Sequence, residues 1–192
     1  MTGRTHDLAA FAALSAIVLF EPLQTITLST AIAAIVANQI GGIAPDIDQP
    51  TAPLWRNLPA GKYVGKLIDR GMGGHRFLTH SLLGIALFGF LTKILLQFLH
   101  PLTPHINDNL VWWAFIIGMI SHLVMDSFTK EGVPWFLPIP VKIGFPPMKD
   151  LRITTGKMAE SFFVFPAIAI GVLWLYASHY NKLLALIHQY VH

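Results

Sequence analysis

The segment LVWWAFIIGMISHLVMDSF, residues 110–128, decides the fold class of this chain. It is apolar until near its end, and as a helix it is long enough to cross most of a bilayer core. His122 and Asp126 are four residues apart in it, so a helix places them on one face. Ionisable side chains inside a membrane segment are costly unless they do chemistry or bind an ion. The segment therefore predicts a membrane helix that carries part of a functional site.

The composition agrees with a membrane protein. Of the 192 residues, 54% are hydrophobic and only 12% are charged, about half the charged fraction of a typical soluble domain. The basic residues stand in loops beside apolar segments, so the net charge of +3 gives no reason to expect nucleic acid as a partner. Since the chain has no cysteine, disulfides and thiolate metal sites are excluded.

Four further apolar segments accompany the first: Leu8–Phe20, Leu23–Ile43, Phe77–Leu99 and Phe162–Tyr176. Leu8–Phe20 is short for a full span. Pro22 separates it from the next segment, because proline disfavours continuation of a helix. The fold predicted is all-α: one polytopic integral membrane domain over residues 1–192 with about five membrane segments. The tail from Tyr180 to His192 predicts a short amphipathic helix at the interface.

The charges predict an orientation. If all five segments cross, the N-terminus and the loops 44–76 and 129–160 share one side of the membrane. That side holds most of the basic residues, namely Arg4, Arg56, Lys62, Lys66, Arg70, Arg76, Lys130, Lys142, Lys149, Arg152 and Lys157. The opposite side has Lys182, with Lys93 near the far end of the third segment. An excess of Lys and Arg marks the cytoplasmic side.

Histidines and carboxylates gather on the same predicted side: His6, Asp46, Asp48, His75, His80, His122, Asp126 and Glu160. The orientation is predicted from Lys and Arg alone, so the convergence of these histidines and carboxylates on the same side is a separate observation. Imidazole and carboxylate ligands together suit a divalent metal. We predict a site for one or two metal ions, with zinc first and manganese as the alternative. For the His122–Asp126 pair, the alternative is a buried hydrogen bond that joins two helices.

The stretch Ala44-Pro45-Asp46-Ile47-Asp48 offers two carboxylates two residues apart. One could bind metal while the other orients a histidine or activates water, or one could bridge two metals. We therefore consider Asp48 both as a metal ligand and as a catalytic residue. The alternative is a plain turn, since Gly, Pro and Asp all favour turns.

Two histidines precede the third segment. His80 is the better ligand candidate, because it lies inside the apolar run, and His75 lies near the predicted helix start. Arg76, between them, is suited to grip a phosphate or carboxylate with two hydrogen bonds; its alternative role is a topology signal. His6 begins a membrane segment on the same side. Glu160 is a candidate ligand or general base, or simply a favourable charge at a helix start.

The loop that follows residue 128 is too apolar and too rich in proline for a free linker. Trp135, Phe136 and Pro138 predict an aromatic anchor at the interface. From Ile139 to Pro147 the loop predicts either a lid over the site or a segment that lies on the membrane surface.

Taken in order, these motifs resemble a known prokaryotic family, the inner-membrane metal-dependent hydrolases of the YdjM and YbcI type. The resemblance rests on His6, Asp46-Ile47-Asp48, His75-Arg76, Thr79-His80-Ser81, and Ser121-His122 with Asp126, Thr129 and Gly132. It implies a multi-pass protein of a bacterial or archaeal inner membrane with metal-dependent hydrolase activity.

A fainter similarity is to zinc-dependent phospholipase C and the P1-type nucleases, whose His-x-x-x-Asp pair His122 and Asp126 would match. Those enzymes use a second His-x-x-x-Glu pair downstream, whereas this chain has Gly156 four residues before Glu160.

The function predicted is hydrolysis of a phosphoester by metal-activated water, with Arg76 holding the phosphate and Lys142 or Arg152 as further candidates for that role. A site at bilayer depth makes membrane lipids the expected partners and a phospholipid or another phosphorylated molecule the expected substrate. Two alternatives stay open: an ion-coupled or proton-coupled transporter, and a membrane protein with a structural metal.

Overall fold

The computed structural model describes residues 1–21, 26–50, 55, 58–59, 61–71, 76–139 and 141–188. Within them the chain forms seven α-helices and no strand: α1 Gly3–Phe20, α2 Leu28–Ile43, α3 Gly61–Gly71, α4 Leu82–Leu99, α5 Asp108–Ser127, α6 Phe165–Ser178 and α7 Tyr180–His188. A 3₁₀ turn, Ala44–Asp48, continues α2, and a π-helical turn, Glu160–Val164, leads into α6. The predicted all-α fold is confirmed.

Five stretches are long and apolar enough to cross a membrane: Gly3–Phe20, Leu28–Asp48, Leu82–Leu102, Asp108–Ser127 and Glu160–Ser178. They correspond to the five predicted segments. The first is longer than predicted, because its polar start is helical too. The third begins later, because Ser81 caps α4 by accepting a hydrogen bond from the backbone N–H of Gly84 at 3.1 Å. His80 therefore stands in a turn before the helix rather than within it.

Helix α5 is the centre of the bundle and packs against α2, α1 and α4, while α6 joins through α1. The α2–α5 crossing is close because glycines lie on both helices. A Cβ on Gly118 would lie 2.1 Å from the carbonyl oxygen of Asn38, and a Cβ on Gly41 would lie 2.1 Å from that of Phe115. Small residues allow backbones to approach in this way within membranes.

The outer faces of α4 and α6 are apolar. Phe90 and Phe98 on α4 are 63% and 77% exposed, and Leu173 and Trp174 on α6 are 69% and 68% exposed. In water such surfaces would be unfavourable, whereas lipid chains accommodate them. These faces are therefore the lipid-facing sides of the bundle.

The segment 44–76, predicted only as a loop, contains α3. The ring of Trp55 approaches Gly65 of this helix, and its Nε1 donates a hydrogen bond to the carbonyl oxygen of Ile47 at 2.9 Å. Trp55 thus joins α3 to the 3₁₀ turn that carries Asp46 and Asp48.

The predicted tail helix is present as α7, with residues 189–192 outside the described part. Lys182 fastens it to the bundle by donating hydrogen bonds to the carbonyl oxygens of Leu19, at 2.7 Å, and Glu21. Because successive spans alternate in direction, the start of α1, the end of α2, the start of α4, the end of α5 and the start of α6 lie on one side of the bundle.

Candidate metal centre

The side chains that meet on that side come from four segments. His6 lies in the first turns of α1, Asp46 in the 3₁₀ turn after α2, His80 in the turn before α4, and His122 and Asp126 near the end of α5. Two groups of potential ligands form, His6–His122–Asp126 and Asp46–His80–His122. All of these residues except Asp46 are almost completely buried.

The packing of α5 against α2 orients His122. Gly118, His122 and Asp126 recur every four residues and share one face of α5. Where Gly118 lets α2 approach, Nδ1 of His122 donates a hydrogen bond to the carbonyl oxygen of Gly42 at 2.7 Å. A neutral imidazole that donates through Nδ1 carries its lone pair on Nε2. That Nε2 has no hydrogen-bond partner in the described part of the chain, so it is available to a metal.

A relay of two side chains orients His80. The Thr79 hydroxyl donates to Oδ2 of Asp48, and Nδ1 of His80 lies 3.0 Å from Oγ1 of Thr79. An ionised carboxylate can only accept, so the single hydroxyl proton points to Asp48 and Nδ1 of His80 donates to Thr79. The backbone N–H of Arg76 donates to the same Asp48 oxygen at 3.2 Å. The lone pair of His80 is therefore on Nε2, as in His122.

Four potential donor atoms then lie close to one another. Nε2 of His80 lies 3.7 Å from Oδ1 of Asp46 and 3.6 Å from Oδ2 of Asp126, and Nε2 of His122 lies 3.7 Å from each of these oxygens. A tetrahedron with bonds of about 2.0–2.2 Å has edges of roughly 3.3–3.6 Å. These four nitrogen–oxygen distances are close to such edges. The donors form two overlapping groups that share His122, and each group is compact enough to hold one zinc-sized ion.

His6 extends the cluster. Its ring stacks on that of His122, with centroids 3.6 Å apart and planes 7° from parallel. Its Nε2 lies 3.3 Å from Oδ1 of Asp126, and neither ring nitrogen has a hydrogen-bond partner among the residues described. Oδ2 of Asp126 faces Nε2 of His80 and of His122, whereas Oδ1 faces His6, so Asp126 lies between His6 and the other two histidines.

Arg76 closes one side of the cluster. Its Nη2 lies 2.6 Å from Oδ2 of Asp126, its Nη1 donates to Oγ1 of Thr129 at 3.0 Å, and its Nε lies 3.4 Å from Glu131. Its backbone has φ of 58°, a left-handed conformation uncommon outside glycine. Such strain persists only where surrounding contacts hold it, typically at functional sites. The amino group of Met1 also contacts Oδ1 of Asp126.

Glu160 is buried, but its hydrogen-bond partners are Thr2, Thr5 and Gly156 rather than the candidate metal ligands. Its Oε1 accepts hydrogen bonds from the backbone N–H and hydroxyl of Thr2 and the hydroxyl of Thr5, at 2.6–2.7 Å, and its Oε2 accepts from the backbone N–H of Gly156 at 2.7 Å. These bonds favour a positioning role, since they hold the start of α1 next to His6. A ligand or general-base role for Glu160 stays a prediction.

Two other predicted ligands are His75 and Asp48. His75 lies outside the described residues, so its role stays a prediction. Asp48 lies behind His80, with Oδ2 3.9 Å from Nδ1 and committed to Thr79 and Arg76. Of the roles considered for the two aspartates, this geometry favours Asp46 as ligand and Asp48 as the residue that orients a histidine.

Two groups that shape the site had no role assigned to them from the sequence. The carbonyl of Gly42 has no side-chain signal, although the four-residue spacing of Gly118 and His122 could have suggested close packing beside the histidine. Thr79 directly precedes His80, but only the turn geometry shows that its hydroxyl connects the histidine to Asp48.

The fold and site define a class: a multi-pass helical membrane protein with a buried cluster of histidine and aspartate at one end of its spans. The family model described as YdjM inner membrane protein matches residues 1–186. The chain belongs to this family of inner membrane proteins, and the five candidate spans agree with that membership.

Individual relatives are moderately similar. The uncharacterized protein YvsG of Bacillus subtilis is 26% identical over 160 residues, which are 83% of this chain and 85% of YvsG. The inner membrane protein YdjM of Escherichia coli is 30% identical over 133 residues, which are 69% of this chain and 61% of that protein. This chain thus spans less than two thirds of the E. coli relative. No solved structure matches.

Proposed function

We propose that this protein is a membrane-embedded, metal-dependent hydrolase that cleaves a phosphoester on the cytoplasmic side of the inner membrane. One observation carries the proposal: Nε2 of His80 and Nε2 of His122 face the carboxylates of Asp46 and Asp126 at 3.6–3.7 Å. Zinc is the ion we propose first, with manganese as the alternative, because both accept mixed imidazole and carboxylate ligation.

A divalent metal, when bound, would polarise the phosphoryl oxygen and supply activated water as the nucleophile. The residues of the chain would hold it and keep it accessible. Asp46 matters most for access, because its side chain is 22% exposed while those of His80 and His122 are fully buried. A structural site is closed by protein ligands on all sides, whereas a catalytic site keeps a position open. The exposure of Asp46 therefore favours catalysis over the structural-metal alternative.

Arg76 supplies the anion recognition. As a permanent cation it does not ligate a metal, and its planar fork suits a phosphate. Its contact with Asp126 at 2.6 Å puts the guanidinium at the edge of the ligand set, where the phosphate of a substrate would lie. Because the site stands at the ends of membrane spans, a phospholipid is the substrate class we favour.

The transporter alternative has less support. A relay through the bilayer needs ionisable or strongly polar groups along its path. From Leu110 to Ile120, α5 has only apolar side chains. Its ionisable residues His122 and Asp126 follow at one end, and Asp108 stands at the other, separated from them by this apolar stretch. The cluster is thus concentrated at one membrane face.

The test is a hydrolysis assay on purified protein in detergent, supplied with zinc or manganese and given phosphomonoesters, phosphodiesters and phospholipids. We expect turnover of at least one substrate, lost in Asp46→Asn and retained in Asp150→Asn, which changes an exposed aspartate away from the cluster. A metal-loaded protein inert on every substrate would contradict the hydrolase and favour a structural metal. Metal or proton flux into proteoliposomes without hydrolysis would favour a transporter.

A further inference from the structure

The loop between α5 and α6 exposes an unusual number of large apolar side chains. Six of them, each 58–65% exposed, are Phe136, Ile139, Val141, Phe145, Met148 and Leu151. We call these six residues, together with Lys142 and Lys149, the loop surface. We propose that the loop surface is seated in the headgroup region of an anionic lipid leaflet, so that the candidate metal centre opens at the membrane interface.

The exposure of these side chains is built into the fold of the loop. Val133 is completely buried in the bundle core and exchanges two backbone hydrogen bonds with Ile143, at 2.9 and 2.8 Å. The guanidinium of Arg152 donates to the carbonyl oxygens of Pro146 and Pro147 at 2.7 and 2.9 Å. Internal contacts thus hold the loop in shape while its apolar side chains point outwards.

The loop surface continues the lipid-facing surface of the helices at two edges. At one edge, the backbone N–H of Leu82 at the start of α4 donates to the carbonyl oxygen of Trp135 at 3.0 Å. Phe136 therefore follows directly beside a helix start whose own leucine, Leu82, is 46% exposed. An apolar surface that is continuous with membrane-spanning faces has the bilayer as its natural neighbour.

At the other edge the contact is aromatic. The ring of Phe145 lies 5.8 Å from that of Phe128, at nearly a right angle, and the backbone N–H of Phe145 donates to the carbonyl oxygen of Ser127 at 2.8 Å. Phe128 directly follows α5 and is 37% exposed. The loop is thus joined to the ends of two spans, at the depth where lipid headgroups begin.

Charge supports an anionic leaflet as the occupant. Lys142 and Lys149 stand exposed among the apolar side chains, and only Asp150 opposes them within residues 136–151. Lysines beside apolar side chains are typical of segments at membrane interfaces, where each basic residue near an anionic surface contributes about 1 kcal/mol.

The loop surface is connected to the candidate metal centre. Thr129 and Glu131, at the start of the loop, both contact the guanidinium of Arg76, at 3.0 and 3.4 Å. A leaflet bound to the loop would therefore present its phosphate groups close to that arginine. The membrane contact itself does not depend on hydrolysis, so it can hold or fail separately from the proposed activity.

The absence of cysteine from the chain makes a depth measurement straightforward. Single variants Phe145→Cys, Met148→Cys and Leu151→Cys are spin-labelled in nanodiscs of phosphatidylcholine with phosphatidylglycerol. Collision rates with oxygen, which concentrates in lipid, are compared with those of a water-soluble nickel chelate. His105→Cys, at an exposed position beyond the other end of the spans, is the control.

We expect the three loop labels to favour oxygen and the His105→Cys label to favour nickel. We also expect the loop labels to move toward water when phosphatidylglycerol is omitted or when Lys142→Gln and Lys149→Gln are introduced together. Loop labels as accessible to nickel as the control would overturn the proposal, and would favour a protein partner for this surface. Equal depth with and without anionic lipid would overturn its electrostatic part.

Discussion

The carbonyl oxygen of Gly42 accepts a hydrogen bond from Nδ1 of His122 at 2.7 Å. This single contact couples the packing of two membrane helices to the orientation of a candidate metal ligand. It exists because Gly118 lets the backbones of α2 and α5 approach closely. Changes at the crossing should therefore alter metal binding even though they touch no ligand.

The first prediction concerns this crossing. In Gly118→Ala the added methyl group would lie 2.1 Å from the carbonyl oxygen of Asn38, so the helices must separate. We expect the free energy of unfolding in detergent to fall by about 1–3 kcal/mol, and zinc affinity to fall with it. Gly171→Ala is the control, because no described atom beyond the neighbouring backbone of its own helix lies within 4 Å of its Cβ position. Equal stability of the two variants would contradict this account of the crossing.

The second prediction concerns the connection from Asp48 through Thr79 to His80. Thr79→Val keeps the shape but removes the hydroxyl that orients the histidine. We expect zinc affinity, measured by competition with a chelator, to fall about 10–100-fold, the usual effect of losing such a contact. Thr79→Ser keeps the hydroxyl and should restore most of the affinity. If both variants bound zinc like the wild type, Thr79 would have no orienting role.

The third prediction separates catalysis from metal binding. Arg76→Gln should keep its metal but lose phosphoester hydrolysis by at least about 100-fold, the scale for removing one donor to the transition state. Arg76→Lys should not restore the rate, because an ammonium lacks the planar fork. Arg70→Gln, at an exposed position on α3, is the matched control. Full activity in Arg76→Gln would exclude Arg76 from catalysis.

The fourth prediction concerns orientation. Lys157→Cys, on the side of the candidate site, should be protected from a membrane-impermeant thiol reagent in intact cells and should react after the membrane is opened. His105→Cys should react in intact cells. The expectation follows from the excess of Lys and Arg in the loops on the site side. The opposite labelling pattern would put the candidate site outside the cytoplasm.

Much of the fold follows from the sequence, because hydrophobic length and break residues are local signals. The apolar runs gave the five spans, and Pro22 marked the first boundary. The predicted helix boundaries differ from the structure where polar side chains near the candidate site are part of the helix or cap it. Residues 3–7 extend α1 because its first turns carry Thr5 and His6 inward, and α4 starts at Leu82 because Ser81 caps it.

The candidate ligands could be predicted from the sequence, because spans that alternate in direction place alternate span ends on the same side of the membrane. The sequence alone could not show which of them would be ligands and which would orient a ligand. Asp46 and Asp48 look equivalent in sequence, and only the turn geometry directs one toward Nε2 of His80 and the other toward Thr79. Helix α3 was missed because it has no long apolar run, although Tyr63-Val64 and Leu67-Ile68 recur at the four-residue spacing of an amphipathic helix.

The metal content of purified protein tests the central claim most directly. Wild-type protein prepared without chelators should carry at least about one equivalent of zinc or manganese by elemental analysis, since the Nε2 atoms of His80 and His122 lie 3.6–3.7 Å from the carboxylates of Asp46 and Asp126. His122→Ala and Asp126→Ala should lose most of it, whereas His105→Ala, at an exposed position remote from the cluster, should keep it. Folded wild-type protein with no transition metal, and with no uptake when zinc or manganese is added, would contradict the account.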